Sequence, residues 1–158
     1  MSLFRKHEPP EARPLLPKAA VCFASPAMTR YAADWLRELG GCKTLGVLSD
    51  DCADVVWQCA AEQADLLLLE TDFTEGVEDK DVSSRCDIAI EVRRKLPDCR
   101  VYLICEDGYP EKLPALEKAV ELELIDGYCI GDLSAQQMRT WLDEAKEAMK
   151  AAAHPLQL

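Results

Sequence analysis

Apolar residues in this chain fall into short unbroken runs, separated by longer stretches where they recur every three or four positions. The short runs have the length of buried strands, and the longer spacing is that of amphipathic helices. Five runs predict strands: Ala19–Ala24, Thr44–Leu48, Ala64–Glu70, Arg100–Cys105 and Gly127–Ile130. The stretch from Leu66 to Leu69 is continuous, as in a central strand covered on both faces. Ser25-Pro26 predicts a helix start, with serine as N-cap and proline at the first helical position. Met28, Tyr31, Ala32, Trp35, Leu36 and Leu39 then share one face, and Gly40-Gly41 ends the helix in the left-handed conformation glycine tolerates. Ser49-Asp50-Asp51 caps a second helix whose inward residues are Val55, Val56, Cys59, Ala60 and Gln63. A third helix runs from Arg85 to Leu96 and stops before Pro97. Pro114 opens a fourth, with Leu116, Val120 and Leu124 at spacing four. Ser134 and Gln137 form the capping box of a fifth, which turns Met138, Trp141, Leu142, Ala145 and Met149 inward.

Strands alternating with helices imply an α/β fold with a parallel sheet covered on both sides. Right-handed crossovers make a doubly wound, flavodoxin-like sheet of order 2-1-3-4-5 the expectation. One domain over residues 19–150 accounts for most of the 158 residues. Residues 1–18 read as a Pro-rich flexible tail, residues 72–84 as an acidic loop, and residues 151–158 as a frayed end.

The formal charge is -11 and is unevenly spread. Residues 1–20 hold four basic and two acidic side chains; the remainder holds 14 and 27. A body so acidic repels phosphate backbones, which argues against nucleic acid as a partner. No apolar run approaches the length of a membrane span, and the amino-terminal stretch lacks the apolar region of a secretory signal, so a cytoplasmic location is expected. The eight cysteines include no C-x-x-C pair, and the two histidines, His7 and His154, stand near the termini. Neither disulfides nor a structural metal is therefore expected, and most of the cysteines read as small buried hydrophobes.

In a doubly wound sheet, ligands sit beyond the carboxyl ends of the strands, where strand order reverses. The residues predicted there are Ala24, Ser25, Glu70, Asp72, Cys105 and Gly131. Three stretches near this crevice resemble the receiver domain of bacterial response regulators. Asp65–Glu70 matches its third strand, an aspartate and four apolar residues before the phosphoacceptor. Asp87–Pro97 is similar to its third helix, and Asp126–Leu133 to the stretch that usually ends in Lys-Pro. The resemblance spans residues 19 to 148. It implies the receiver fold, and it also marks where this chain departs from working receivers.

Receivers carry an acidic metal-binding pair after the first strand, aspartate after the third, Thr or Ser after the fourth and Lys after the fifth. This chain has Ala24-Ser25-Pro26, Glu70, Cys105 and Gly131. Hard divalent cations need oxygen ligands, usually carboxylates among them. A carboxylate one methylene longer is displaced by ~1.5 Å, a C–C bond length. Misplacement of ~1 Å can cost on the order of a hundredfold in rate. Ser25, Glu70, Asp72, Cys105 and Gly131 thus read as a degenerate phosphoacceptor pocket without catalysis, metal or cofactor. Glu70 is either a fixed charge imitating the phosphorylated state or a solvated strand-end carboxylate with no switching role. Two alternatives use the pocket differently: a working receiver with Asp72 or Glu70 as acceptor, and a phosphoryl carrier built on Cys22. A flavodoxin-like cofactor site is disfavoured because the loop after the first strand lacks glycine. The preferred expectation is a phosphorylation-independent signalling module rather than an enzyme. The resemblance further implies that a protein partner or a second copy binds helix four, strand five and helix five, with Leu116, Val120, Tyr128 and Trp141 on that face.

Overall fold

The computed structural model describes residues 16–23, 25–49, 51–71, 82–108 and 110–153. Strands β1 (Lys18–Cys22), β2 (Lys43–Gly46), β3 (Leu66–Thr71), β4 (Arg100–Cys105) and β5 (Gly127–Ile130) form one parallel sheet in the order β2-β1-β3-β4-β5. They alternate with helices α1 (Pro26–Leu39), α2 (Cys52–Glu62), α3 (Val82–Lys95), α4 (Leu113–Glu121) and α5 (Ala135–Ala153). A single 3-10 turn, Pro110–Lys112, precedes α4. Fold class and strand order are those the sequence predicts.

Strand alternation sends successive side chains to opposite faces, so the sheet divides one core into two layers. Ala20, Leu67, Leu69, Val101 and Leu103 pack with Val55, Cys59, Ile88, Val92 and Leu116 of α2, α3 and α4. Val21, Leu66, Leu68 and Tyr102 pack with Leu36, Met138, Trp141 and Leu142 of α1 and α5. The Tyr102 and Trp141 rings stack with centroids 4.3 Å apart and planes 13° apart.

The helix starts follow the sequence. Ser25 Oγ accepts from the Met28 amide (3.1 Å), Asp51 from the Asp54 amide (3.3 Å) and Ser134 Oγ from the Gln137 amide (3.0 Å). Each caps a free amide of a first turn. Gly40 and Gly41 both take positive φ, at 79° and 82°.

Several expectations need correction. β1 stops at Cys22 rather than Ala24, because the Phe23 amide leaves the ladder and donates to Thr29 Oγ1 (2.9 Å). β3 runs on to Thr71, which pairs with Cys105. α3 begins at Val82, inside the stretch read as loop. Met28 and Tyr31 are largely exposed; the buried face of α1 is Thr29, Ala32, Ala33 and Leu36. Gln63 is an exposed left-handed C-cap. The ordered chain starts before residue 19: the Pro17 carbonyl accepts from the Lys43 amide (2.8 Å) and Lys18 is in β1. Ala151–Ala153 are helical rather than frayed. Leu116 and Trp141, expected on a contact face, are core residues, because each fills the space between its helix and the sheet. Residues 1–15, Ala24, Asp50, residues 72–81, Tyr109 and residues 154–158 lie outside the described residues.

At the amino ends of β4 and β5 the sheet is tied by a polar network. Asp126 accepts from the Val101 amide (2.7 Å), pairs with Arg93, and lies 3.6 Å from Arg100 Nε. Arg100 also reaches Glu144 Oε2 (3.3 Å), on which Tyr102 places its hydroxyl (2.5 Å). Nearby, Asp65 Oδ2 accepts from the Lys18 amide (2.8 Å).

Candidate functional site

The carboxyl ends of β3, β4 and β5 open onto a cleft of about 560 Å³. Register sets its walls. Glu70 pairs with Ile104, Thr71 with Cys105, and Cys105 with Ile130. The Gly131 amide donates to the Cys105 carbonyl (2.8 Å), so the chain leaves β5 pinned to the end of β4. Glu70, Cys105 and Gly131 therefore meet in this cleft, together with Met28, Thr71, Glu106, Asp107 and Asp132. Of the other predicted site residues, Ser25 caps α1 one turn from Met28 and is not in the lining. Asp72 lies outside the described residues.

The electrostatics of the lining are one-sided. Four carboxylate side chains contribute, Glu70, Glu106, Asp107 and Asp132, and no basic side chain does among the described lining residues. The lining is therefore a locally negative surface, because like charges gathered in a cleft reinforce one another's field. Gly131 stands where the resemblance calls for lysine, and its backbone has φ 84°. A side chain there has room, since a Cβ would meet only the Asp107 Cβ, at 3.8 Å, but the left-handed backbone itself is strained for any L-residue.

Cys105 is buried. Burial pushes its thiol pKa up, while a hydrogen bond with Thr71 pulls the other way. It is thus a packed neutral thiol rather than a reactive one. Cys22 is likewise buried, its Sγ donating to the Ser49 carbonyl (3.3 Å), which suits a core cysteine better than a phosphoryl carrier.

Two residues that hold this end of the sheet escaped the sequence reading. Thr71 is buried and its hydroxyl donates to the Ile104 carbonyl (3.4 Å), tying β3 to β4. Arg85 is only 1% exposed, and its Nε donates to the Glu70 carbonyl (3.0 Å). It fixes the backbone that presents Glu70. A signal for it was present: Arg85, Ile88, Ala89 and Val92 follow the i, i+3, i+4, i+7 spacing of a buried stripe. No buried side-chain nitrogen or oxygen among the described residues lacks a hydrogen-bond partner. No group of His, Cys, Asp or Glu side chains among them is arranged to hold a metal ion, and no helix among them is long and apolar enough to cross a membrane.

No family model matches the chain, and no curated protein matches it by sequence. Solved structures do. A response regulator receiver domain protein from Clostridium thermocellum superposes with TM-score 0.66 at 15% identity, over 87% of this chain and 99% of that one. The receiver domain of the response regulator AraT from Geobacillus stearothermophilus gives TM-score 0.61 at 15% identity, over 88% and 99%. An adenylate cyclase from Rhodopirellula baltica gives 0.65 at 7% identity, over 88% and 93%. At such identities the likeness speaks to architecture, and over nearly all of its described length this chain has the fold of response-regulator receiver domains.

Proposed function

We propose that the chain is a signalling module that acts by protein contact and does not use phosphoryl transfer at the carboxyl end of its sheet. The observation that carries this reading is the cleft itself: four acidic side chains line it, and Gly131 stands where a cation would pair with a phosphoryl group. Without that cation, a phosphorylated Glu70 or Asp72 would meet the negative charge of the lining and lack the lysine that receivers supply. Glu70 serves as a permanent strand-end carboxylate, its backbone held by Arg85.

The contact surface in this reading is the edge made by α4, β5 and α5. β5 is the last strand of the sheet, so one side of its backbone is open to a partner strand or helix. Val120 and Tyr128 are partly exposed and Ile130 is 41% exposed, which gives this edge apolar surface. Leu116 and Trp141 support it from within. A second copy or a separate protein is the partner class, and an acidic body of this charge is unsuited to nucleic acid.

An amide NMR titration with magnesium, then magnesium plus beryllofluoride, tests the reading. The expected result is no localised change at Ser25, Glu70, Cys105 or Gly131. Saturable shifts at those residues would mean a working phosphoryl switch. In parallel, Ile130→Asp is expected to weaken self-association or partner capture while the fold persists; unchanged sedimentation and pull-down would remove the edge from the proposal.

A further inference from the structure

The outer face of α1 carries apolar side chains where a solvated helix would carry polar ones. Tyr31 is 70% exposed and Met28 47%. With Phe23, Trp35 and Leu133 they border a groove of about 330 Å³, with Asp132 among its lining. Clustered exposed apolar surface of this kind marks a contact site more often than scattered single residues do. Aromatic rings beside an acid suit one ligand chemistry well, a proline-rich segment with basic side chains. Pyrrolidine rings pack on aromatic faces, and the polyproline conformation is preformed, so little entropy is lost on docking.

The chain itself carries such a segment. Residues 1–15 contain Pro9, Pro10 and Pro14 with Arg5, Lys6 and Arg13. They hold three basic and two acidic side chains, against 15 and 27 in residues 16–158. Reach is also suitable. The segment joins the domain at Leu16 and Pro17, by the amino end of β1, and the groove begins at Phe23, just past its carboxyl end. Five strand residues rise ~17 Å at ~3.3 Å each. Pro9 and Pro10 precede Leu16 by seven and six residues. In a polyproline conformation that is ~20 Å, at ~3.1 Å per residue. A segment doubling back along α1 therefore brings these prolines level with the groove.

We infer that residues 1–15 dock on their own domain, with Pro9 and Pro10 against Phe23, Tyr31 and Trp35 and a basic side chain beside Asp132. Met28 and Asp132 line both this groove and the acidic cleft, so the docked segment flanks the cleft. The inference rests on the groove and the segment alone and does not depend on how the domain signals.

Amide NMR on the full chain at several concentrations tests it, comparing the parent with a Pro9→Ser, Pro10→Ser double variant and with Tyr31→Ala. Tyr31→Ala leaves the core intact, because Tyr31 is mostly exposed. The double variant is expected to shift the amides of Met28, Tyr31 and Leu133 and the Trp35 indole, leaving Val101–Leu103 unmoved. Tyr31→Ala is expected to shift amides of residues 3–12 in return. Unmoved groove resonances in the double variant would overturn the inference. So would shifts that grow with protein concentration, which would assign the groove to the segment of a second copy.

Discussion

At the amino ends of β4 and β5, Asp126 takes up the Val101 amide, Arg93 and Arg100, while Tyr102 and Arg100 share Glu144. At the carboxyl ends of the same strands, Glu70, Glu106, Asp107 and Asp132 line a cleft whose described walls bring no basic side chain. Both ends use carboxylates. At the first, opposite charges and backbone amides neutralise them and the strands are locked in register. At the second, four carboxylates are gathered in one cleft, three of them on exposed residues. The contrast sets a charge-neutralised lock at one end of the sheet against an acidic cleft at the other, the end at which doubly wound folds place their ligand sites.

The sharpest way to break this comparison is Asp126→Ala. It takes a partner from Arg93, Arg100 and a backbone amide at a site only 18% exposed, leaving Arg93 the Glu123 carbonyl and Arg100 the Glu144 carboxylate. The expected loss is about 2 kcal/mol, between the ranges for exposed and for buried ion pairs. Urea unfolding measures it, and a loss below that of any single cleft substitution would erase the distinction between the ends.

Tyr102→Phe is next, at about 1.5 kcal/mol for a buried hydrogen bond to a charged acceptor. It also has a pH signature. Burial first, and then the Glu144 hydrogen bond, raise the Tyr102 pKa well above its ordinary 10.0. Burial likewise pushes the Cys59 thiol from 9.0 up to about 12, and raises Cys99. Groups raised in the folded state contribute stability in full below their unfolded values and lose it as pH climbs through the folded ones. Unfolding midpoints should therefore fall from about pH 9 upward, and less steeply in Tyr102→Phe. An unchanged alkaline slope would show that this hydroxyl is not part of the lock.

At the cleft the expected effects are smaller. Gly131→Lys should cost about 1 kcal/mol, the strain of a side chain on a left-handed backbone, read as a lowered thermal midpoint. Glu70→Gln should cost less than Asp126→Ala in the same urea measurement, since the bond from Arg85 goes to the backbone carbonyl and survives. A loss near that of Asp126→Ala would place Glu70 among the structural carboxylates.

The fold was legible because its signals are local and mutually consistent. Unbroken apolar runs, capping serines and aspartates, and alternation of element types all led to one strand order. β4 and β5 match the sequence reading to the residue, with Pro97 and Asp98 ahead of β4 and Asp126 directly ahead of β5. Ends set by tertiary bonds were read less well. Nothing local says that the Phe23 amide will leave the sheet for Thr29, or that Thr71 will add one more rung against Cys105. Glu70, Cys105 and Gly131 share one cleft, as strand-end positions in a parallel sheet imply. Arg85 enters the sequence reading only as the start of the third helix, although it shares the buried stripe of Ile88, Ala89 and Val92. Leu116 and Trp141 were assigned to a surface by resemblance, whereas side chains of that size on a helix covering a sheet are needed to fill the layer.

The three tryptophans sit in three different surroundings, which gives the molecule its own set of optical labels. Trp141, stacked on Tyr102 in the core, should dominate the near-ultraviolet dichroism and lose it only on global unfolding. Trp57 is 71% exposed on α2 and should emit as a solvated indole throughout. Trp35 borders the α1 groove, so its emission should shift when that groove fills or empties while the other two stay silent. Single-tryptophan variants would turn folding, solvent exposure and groove occupancy into separate spectroscopic channels, read without an added dye.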